Sequence, residues 1–268
     1  MKLPKELENI DLSSSVVYRN TELMNEDFLD KYSKFLDWRL VIKYNHLSED
    51  FIEKHKKVMD WDYILLYQKH ISDDFIIKHK DEITHWDFLG VHRPVSVFLG
   101  HVLYDKINWA ALAVTDKLSE EFIREFRDKL DWTRITMGYA RKFSDSFIRE
   151  MKDYIDWYYL FTERKNMSMD FIREIVKKLL PTKSKYTIGA LANQITDDNF
   201  LEMMNIFKKY DVEHHALENV HHIRLSDETI INNYVYFDMS ILWNIKNGNI
   251  SKKLRKVFDN SFGNKFGL

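Results

Sequence analysis

Residues 47–76 read LSEDFIEKHKKVMDWDYILLYQKHISDDFI. The opening LSEDFI returns at 71–76 as ISDDFI and at 118–123 as LSEEFI. Ser48 suits a helix N-cap, because its hydroxyl can accept a backbone N–H of the first turn, and the acids after it suit the positive helix end. Phe51 then falls at the third helical position, and a helix of about ten residues is expected through FIEKHKKVM. Asp60 reads as a second N-cap, with Trp61 opening a second helix. Trp61, Ile64, (Leu65) and Gln68 share one face at helical period. The unit is therefore an αα-hairpin.

Outward from this stretch the same register recurs. Trp stands at 38, 61, 86, 109, 132 and 157, each preceded by a small polar or capping residue: Asp37, Asp60, His85, Asn108, Asp131 and Asp156. Phe28, Phe51, Phe75, Phe98, Phe122 and Phe147 precede these Trp by ten or eleven residues, and the series continues at Phe171 and Phe200. A Leu or Ile follows every one of these Phe, and an aliphatic lies three residues after every paired Trp. The period is about 24 residues, shorter than TPR or ankyrin units. No unit of that size buries its own apolar face, so stacking of neighbours is required. The expected fold is all-α, an α-solenoid of tandem αα-hairpin repeats.

Three segments are expected: an N-terminal cap at 1–23, regular repeats at 24–180, and degenerate repeats with a C-terminal cap at 181–268. At Arg93–Phe98 the Ser-acidic cap is missing, and Pro94 is expected to open that helix. Ser226-Asp227-Glu228 marks a late, degenerate repeat.

Composition agrees and excludes. Only 7 Gly and 3 Pro occur in 268 residues, against roughly 12% in average proteins. That scarcity argues against sandwiches and barrels, and neither a G-x-G nor a Walker loop occurs. The absence of Cys removes disulfides, Cys-ligated zinc and Cys nucleophiles. A formal charge of −2 offers no global case for nucleic acid. No apolar run reaches membrane-span length and no secretory signal opens the chain, so the expectation is neither membrane-bound nor secreted.

LSEDFIEKHKKVMDWDYILLYQKHISDDFI and LSEEFIREFRDKLDWTRI resemble the tandem units of short helical-repeat proteins found in large DNA viruses and some phages. The resemblance covers residues about 24–180. It implies a viral-type helical repeat protein in the host cytoplasm or the virion. It implies no activity.

Candidate chemistry is sparse. His46 and His70, like His55 and His79, sit 24 residues apart and read as equivalent surface positions. His214-His215 and His221-His222 are the better metal candidate, but i,i+4 spacing is lacking, so no metal is expected. Asp73-Asp74, Glu120-Glu121 and Asp197-Asp198 read as first-turn charges rather than acid–base pairs, and the recurrent Ser as caps. The Trp and Phe ladders read as structural, not as base-stacking platforms. No cofactor and no enzymatic activity are expected.

Exposed rows remain. Arg124, Arg149 and Arg173 stand two residues past their Phe, each followed by Glu, and read either as a recognition face or as inter-repeat ion pairs. Tyr44, Tyr67 and His92 share the slot six residues after Trp. These six residues form the candidate interaction face for a protein partner, host or viral. The alternative is nucleic-acid binding through the Lys/His-rich face of the early repeats, at Lys54-His55-Lys56-Lys57 and Lys78-His79-Lys80.

Overall fold

In a computed structural model the chain is described at residues 4–165, 167–180, 184–212, 216, 223–237, 241–243, 246 and 248–262. Among these the structure is helical, with no strand. The chain divides into two compact units, Met1–Arg134 and Ile135–Leu268.

In unit 1 first and second helices alternate as the sequence requires. The N-terminal α1 (Ser15–Tyr18) is followed by the pairs α2 (Glu26–Lys31) and α3 (Trp38–Tyr44), then α4 (Glu49–His55) and α5 (Trp61–Tyr67). Next come α6 (Asp73–Lys78) with a 3-10 turn at Trp86–Phe88, α7 (Val97–Val102) with α8 (Trp109–Leu112), and α9 (Glu120–Glu125). The second helices pack in order, α1 on α3, α3 on α5, α5 on the 3-10 turn and that turn on α8; first helices do likewise from α6 to α7 to α9. This two-layer succession is the α-solenoid arrangement. Helix α10 (Trp132–Tyr139) contains the division between units. Unit 2 continues with α11 (Asp145–Glu150), α12 (Trp157–Glu163), α13 (Met169–Leu179), α14 (Lys185–Ala192) and α15 (Phe200–Lys209), then the helices Asp227–Asn232 and Lys252–Phe262.

Capping explains where the helices begin. The side chains of Asn25, Ser48, Ser72, Ser119, Ser144 and Ser168 each accept the backbone N–H of the Phe three residues on. Ser226 does the same for Thr229. Asp37, Asp60, Asn108 and Asp156 cap second helices. The first helices before α13 are shorter than the ten residues expected: α4 has 7, because the chain turns at once, with Val58 N donating to His55 O at 3.0 Å, whereas α13 reaches 11.

The core is built chiefly by the aliphatic after each anchor and the aliphatic three residues after each Trp. Ile52, Ile123, Ile148 and Ile172 are buried, as are Val41, Ile64, Leu112, Ile135 and Leu160. The paired Trp are half-buried, apart from the buried Trp86. Several tie the turn behind them: the indole N–H of Trp38, Trp109, Trp132 and Trp157 donates to the carbonyl five residues earlier, at 2.8–3.2 Å.

Two expectations of register are corrected. Ser96, not Pro94, caps α7, accepting Leu99 N at 3.0 Å. Leu99 thus occupies the place of the buried anchor and is 0% exposed, while Phe98 is displaced outward at 57%. The next position is Gly100, whose missing side chain makes room for the ring of Phe126. At Phe200 the ring is buried but Leu201 is exposed, with Met203, Met204 and Phe207 filling the interior instead.

Neighbouring repeats are joined by polar contacts as well as by apolar burial. Glu26 accepts Ser48 N at 2.6 Å and Glu49 accepts Ser72 N at 2.6 Å. The acid that follows one cap therefore satisfies the next cap's own N–H. A second contact meets the carbonyl just before four of the caps. His70 reaches Leu47 O at 2.7 Å, Arg93 reaches Ile71 O at 2.8 Å, Arg164 reaches Phe143 O, and Lys246 reaches Leu225 O at 2.8 Å. A carbonyl only accepts, so His70 carries its proton on Nε2.

Candidate interaction face

The early Lys/His-rich segments lie at the C-terminal ends of first helices, where Lys54, His55, Lys78 and His79 reach the preceding repeat. Lys54 Nζ and His55 Nε2 meet the two carboxylate oxygens of Asp30 at 2.8 and 2.9 Å. Lys78 and His79 meet Glu53 at 3.0 and 2.8 Å, and Lys56 meets it from its own helix at 2.6 Å. Hydrogen bonds from Lys56 and then Lys78 hold the Glu53 carboxyl at about 2, well below its ordinary 4.5. His55 and His79 are not surface side chains as expected: they are 12% and 4% exposed. Their rings pack on Trp38 and Trp61 at centroid distances of 5.1 and 4.0 Å. Packing on Trp from one side and pairing with a carboxylate from the other buries them.

The arginine row is likewise engaged. In unit 2, Arg149 Nε donates to Glu174 at 2.8 Å, and its guanidinium lies 4.9 Å from the Phe171 ring centroid. Arg173 bonds Glu202 of α15 and Asp170 of its own helix α13. The hydrogen bond that Arg149 donates to Glu174 raises its pKa, and the one that Arg173 donates to Glu202 does the same. A small recess of about 90 Å³ lies beside Arg149, Lys152, Trp157, Glu174 and Ile175. In unit 1, Arg124 is half-buried, and its carbonyl accepts from Arg127 at 3.4 Å.

Tyr44, Tyr67 and His92 come together in unit 1. The Tyr67 and His92 rings are stacked with centroids 6.3 Å apart, and Tyr63 packs on Tyr67 at 5.5 Å. Two cations that the sequence reading did not include complete this row. The Arg19 guanidinium lies 4.9 Å from the Tyr44 centroid, and Lys43 Nζ lies 5.4 Å from Tyr44 and 5.6 Å from Tyr67. The signal for them is a single 24-residue step from Arg19 to Lys43. It is obscured because α1 precedes the first full Phe–Trp unit. Near this row, the exposed His46 and His70 imidazoles stack 3.5 Å apart.

Among the described residues no three His, Asp or Glu side chains form a group able to hold a metal ion. His214, His215, His221 and His222 lie outside the described residues. Again among described residues, no helix is long and apolar enough to cross a membrane. Two of the acid pairs follow caps as expected: Glu120 and Glu121 lie in the first turn of α9, Asp73 and Asp74 in that of α6. Asp197 and Asp198 do not: they precede Asn199, the residue before α15, and Asp197 instead accepts Ser226 N at 2.9 Å. Asp73 also binds Arg93 and the Ser96 hydroxyl in the next repeat. This is a junction role, additional to the helix-end role read from sequence. No family model, curated protein or solved structure matches the chain.

Proposed function

We propose that this chain is a non-enzymatic helical-repeat scaffold that binds another protein, as a viral protein engaging a host factor or a virion component. One observation carries the reading. Tyr44, Tyr67 and His92 form a row on the second-helix layer of unit 1, with contributions from successive repeats. Extended surfaces of this kind are what stacked repeats offer a partner. The reading places the protein in the cytoplasm of an infected cell or in the virion.

Nucleic-acid binding through the early Lys/His face has weaker support. Lys54 is paired with Asp30, and Lys56 and Lys78 share Glu53, within the chain, which leaves fewer counterions to release on contact with phosphates.

The test is capture of partners from infected cells on the tagged chain, followed by affinity measurement with the purified partner. The Tyr44→Ala/Tyr67→Ala/His92→Ala variant, checked for unchanged helicity, is expected to lose about tenfold or more in affinity. Unchanged affinity overturns this face. Failure to find any saturable protein partner overturns the reading.

A further inference from the structure

Resting on that protein-binding reading, we propose that the strip of Arg19, Lys43, Tyr44, Tyr67 and His92 docks an extended acidic segment of a partner protein, rich in Asp and Glu. The argument begins with what neutralises each cation. On the first-helix layer Lys54 and Lys78 have carboxylates in the preceding repeat at 2.8 and 3.0 Å. Arg19 and Lys43 have none among the described residues; their close partners are aromatic rings. A ring face attracts a cation by only about 0.5–1 kcal/mol at an exposed site and does not cancel its charge. The Tyr44 hydroxyl records the result, since the Arg19 hydrogen bond, with Lys43 nearby, holds its pKa below the usual value.

The rings order the cations. Arg19, Tyr44, Lys43, Tyr67 and His92 follow one another, each within 4.9 to 6.3 Å of the next. Both tyrosines are half-buried and already flanked on two sides, whereas Arg19, Lys43 and His92 are exposed. The strip therefore offers solvent N–H donors rather than open ring faces. That suits carboxylates and disfavours stacked bases. Its spacing also fits a peptide. Packed helices lie about 8–10 Å apart and an extended chain advances about 3.3 Å per residue. Carboxylates about three residues apart would meet successive repeats.

The experiment titrates the full chain with a fluorescein-labelled peptide of alternating Glu and Asp, and in parallel with labelled oligo-dT, reading anisotropy at low and high salt. The expected result is saturable peptide binding at about 50 mM NaCl that weakens strongly at about 500 mM. Arg19→Glu/Lys43→Glu is expected to weaken it about tenfold or more, and the milder Arg19→Gln/Lys43→Gln to weaken it less. Lys57→Glu, a charge change elsewhere in unit 1, is expected to leave it within about twofold. All variants are checked by circular dichroism; the changed side chains are exposed, so the fold is expected to persist. Absence of saturable binding overturns the proposal, as does oligo-dT binding as tight and as dependent on Arg19 and Lys43. If the acidic peptide fails while the Tyr44/Tyr67/His92 variant still loses its captured partner, the acidic specificity falls and the scaffold reading stands.

Discussion

The buried amide of Gln68 donates to the carbonyl of Asn45, 2.8 Å away at the C-terminal end of helix α3 in the preceding repeat. The same amide donates to Ile42 O, and its oxygen accepts Leu47 N at 3.0 Å. One side chain thus satisfies two carbonyls at a helix end and the N–H that leads into the next cap. Gln194 repeats the arrangement within unit 2, with Phe161 O at 3.1 Å, Arg164 O at 2.7 Å and Met167 N at 3.2 Å. Helix ends leave carbonyls without intrahelical partners, and a buried one must find another donor.

Replacing Gln68 with Leu is accordingly expected to destabilise unit 1 by about 2–4 kcal/mol, since the new side chain packs but leaves buried backbone groups unpaired. Urea denaturation followed by circular dichroism measures this. A loss below about 0.5 kcal/mol would show that water replaces the amide.

Gly100 provides a test whose sign differs from helix propensity. Alanine normally gains about 1 kcal/mol over glycine inside a helix. Here an added Cβ would lie 2.5 Å from Phe126 Cε2 and 2.9 Å from Phe122 Cε2, and both rings are buried. Gly100→Ala is expected to cost about 1–3 kcal/mol, with partial rescue by Phe126→Leu. Increased stability in thermal melts would refute the clash.

The register shift at α7 separates two adjacent residues. Phe98→Asp restores the charge found at Asp74 in α6 and is expected to change stability by less than about 0.5 kcal/mol. Leu99→Ala is expected to cost about 2–5 kcal/mol. Equal effects in chemical denaturation would contradict the assignment of Leu99 as the buried anchor.

Glu53 sets a pH dependence. Its pKa lies at about 2 in the folded chain and is ordinarily 4.5, so the folded state favours the ionised form. The stabilisation is present above about pH 4.5 and is lost as pH falls from there towards about 2. Melting temperature measured across that window is expected to fall more steeply in the parent chain than in Glu53→Gln. Parallel curves would mean that Lys56, Lys78 and His79 do not stabilise the carboxylate.

The two readings of the arginine row are separable by charge exchange. Arg149→Glu faces Glu174 and is expected to cost under about 1 kcal/mol, as exposed pairs do. Adding Glu174→Arg is expected to recover that stability. If partner capture also recovers, Arg149 acts through the repeat junction; if capture stays lost, its charge meets the partner directly.

Much of the architecture is legible in the order of residues alone, because its causes are local. A Ser hydroxyl and the N–H three residues on meet within one turn, so Ser48, Ser72 and Ser144 announce helix starts wherever they stand. A period near 24 residues then requires stacking, since one hairpin cannot bury its apolar face. Residues whose roles depend on a neighbouring repeat are different. Gln68 reads as one more position on a helical face, yet it closes a junction with α3. His55 and His79 read as surface groups, yet Trp and carboxylates enclose them. Phe98 looks like an anchor, and only the packing of Phe126 over Gly100 moves that role to Leu99. Arg19 and Lys43 look like any scattered cations until the helix layers set them beside Tyr44 and Tyr67. Sequence by itself determined the helices, their caps and the need to stack. Tertiary structure decided which charges are neutralised and which stay open to a partner, because a side chain some 24 positions away becomes a neighbour only when two repeats are packed.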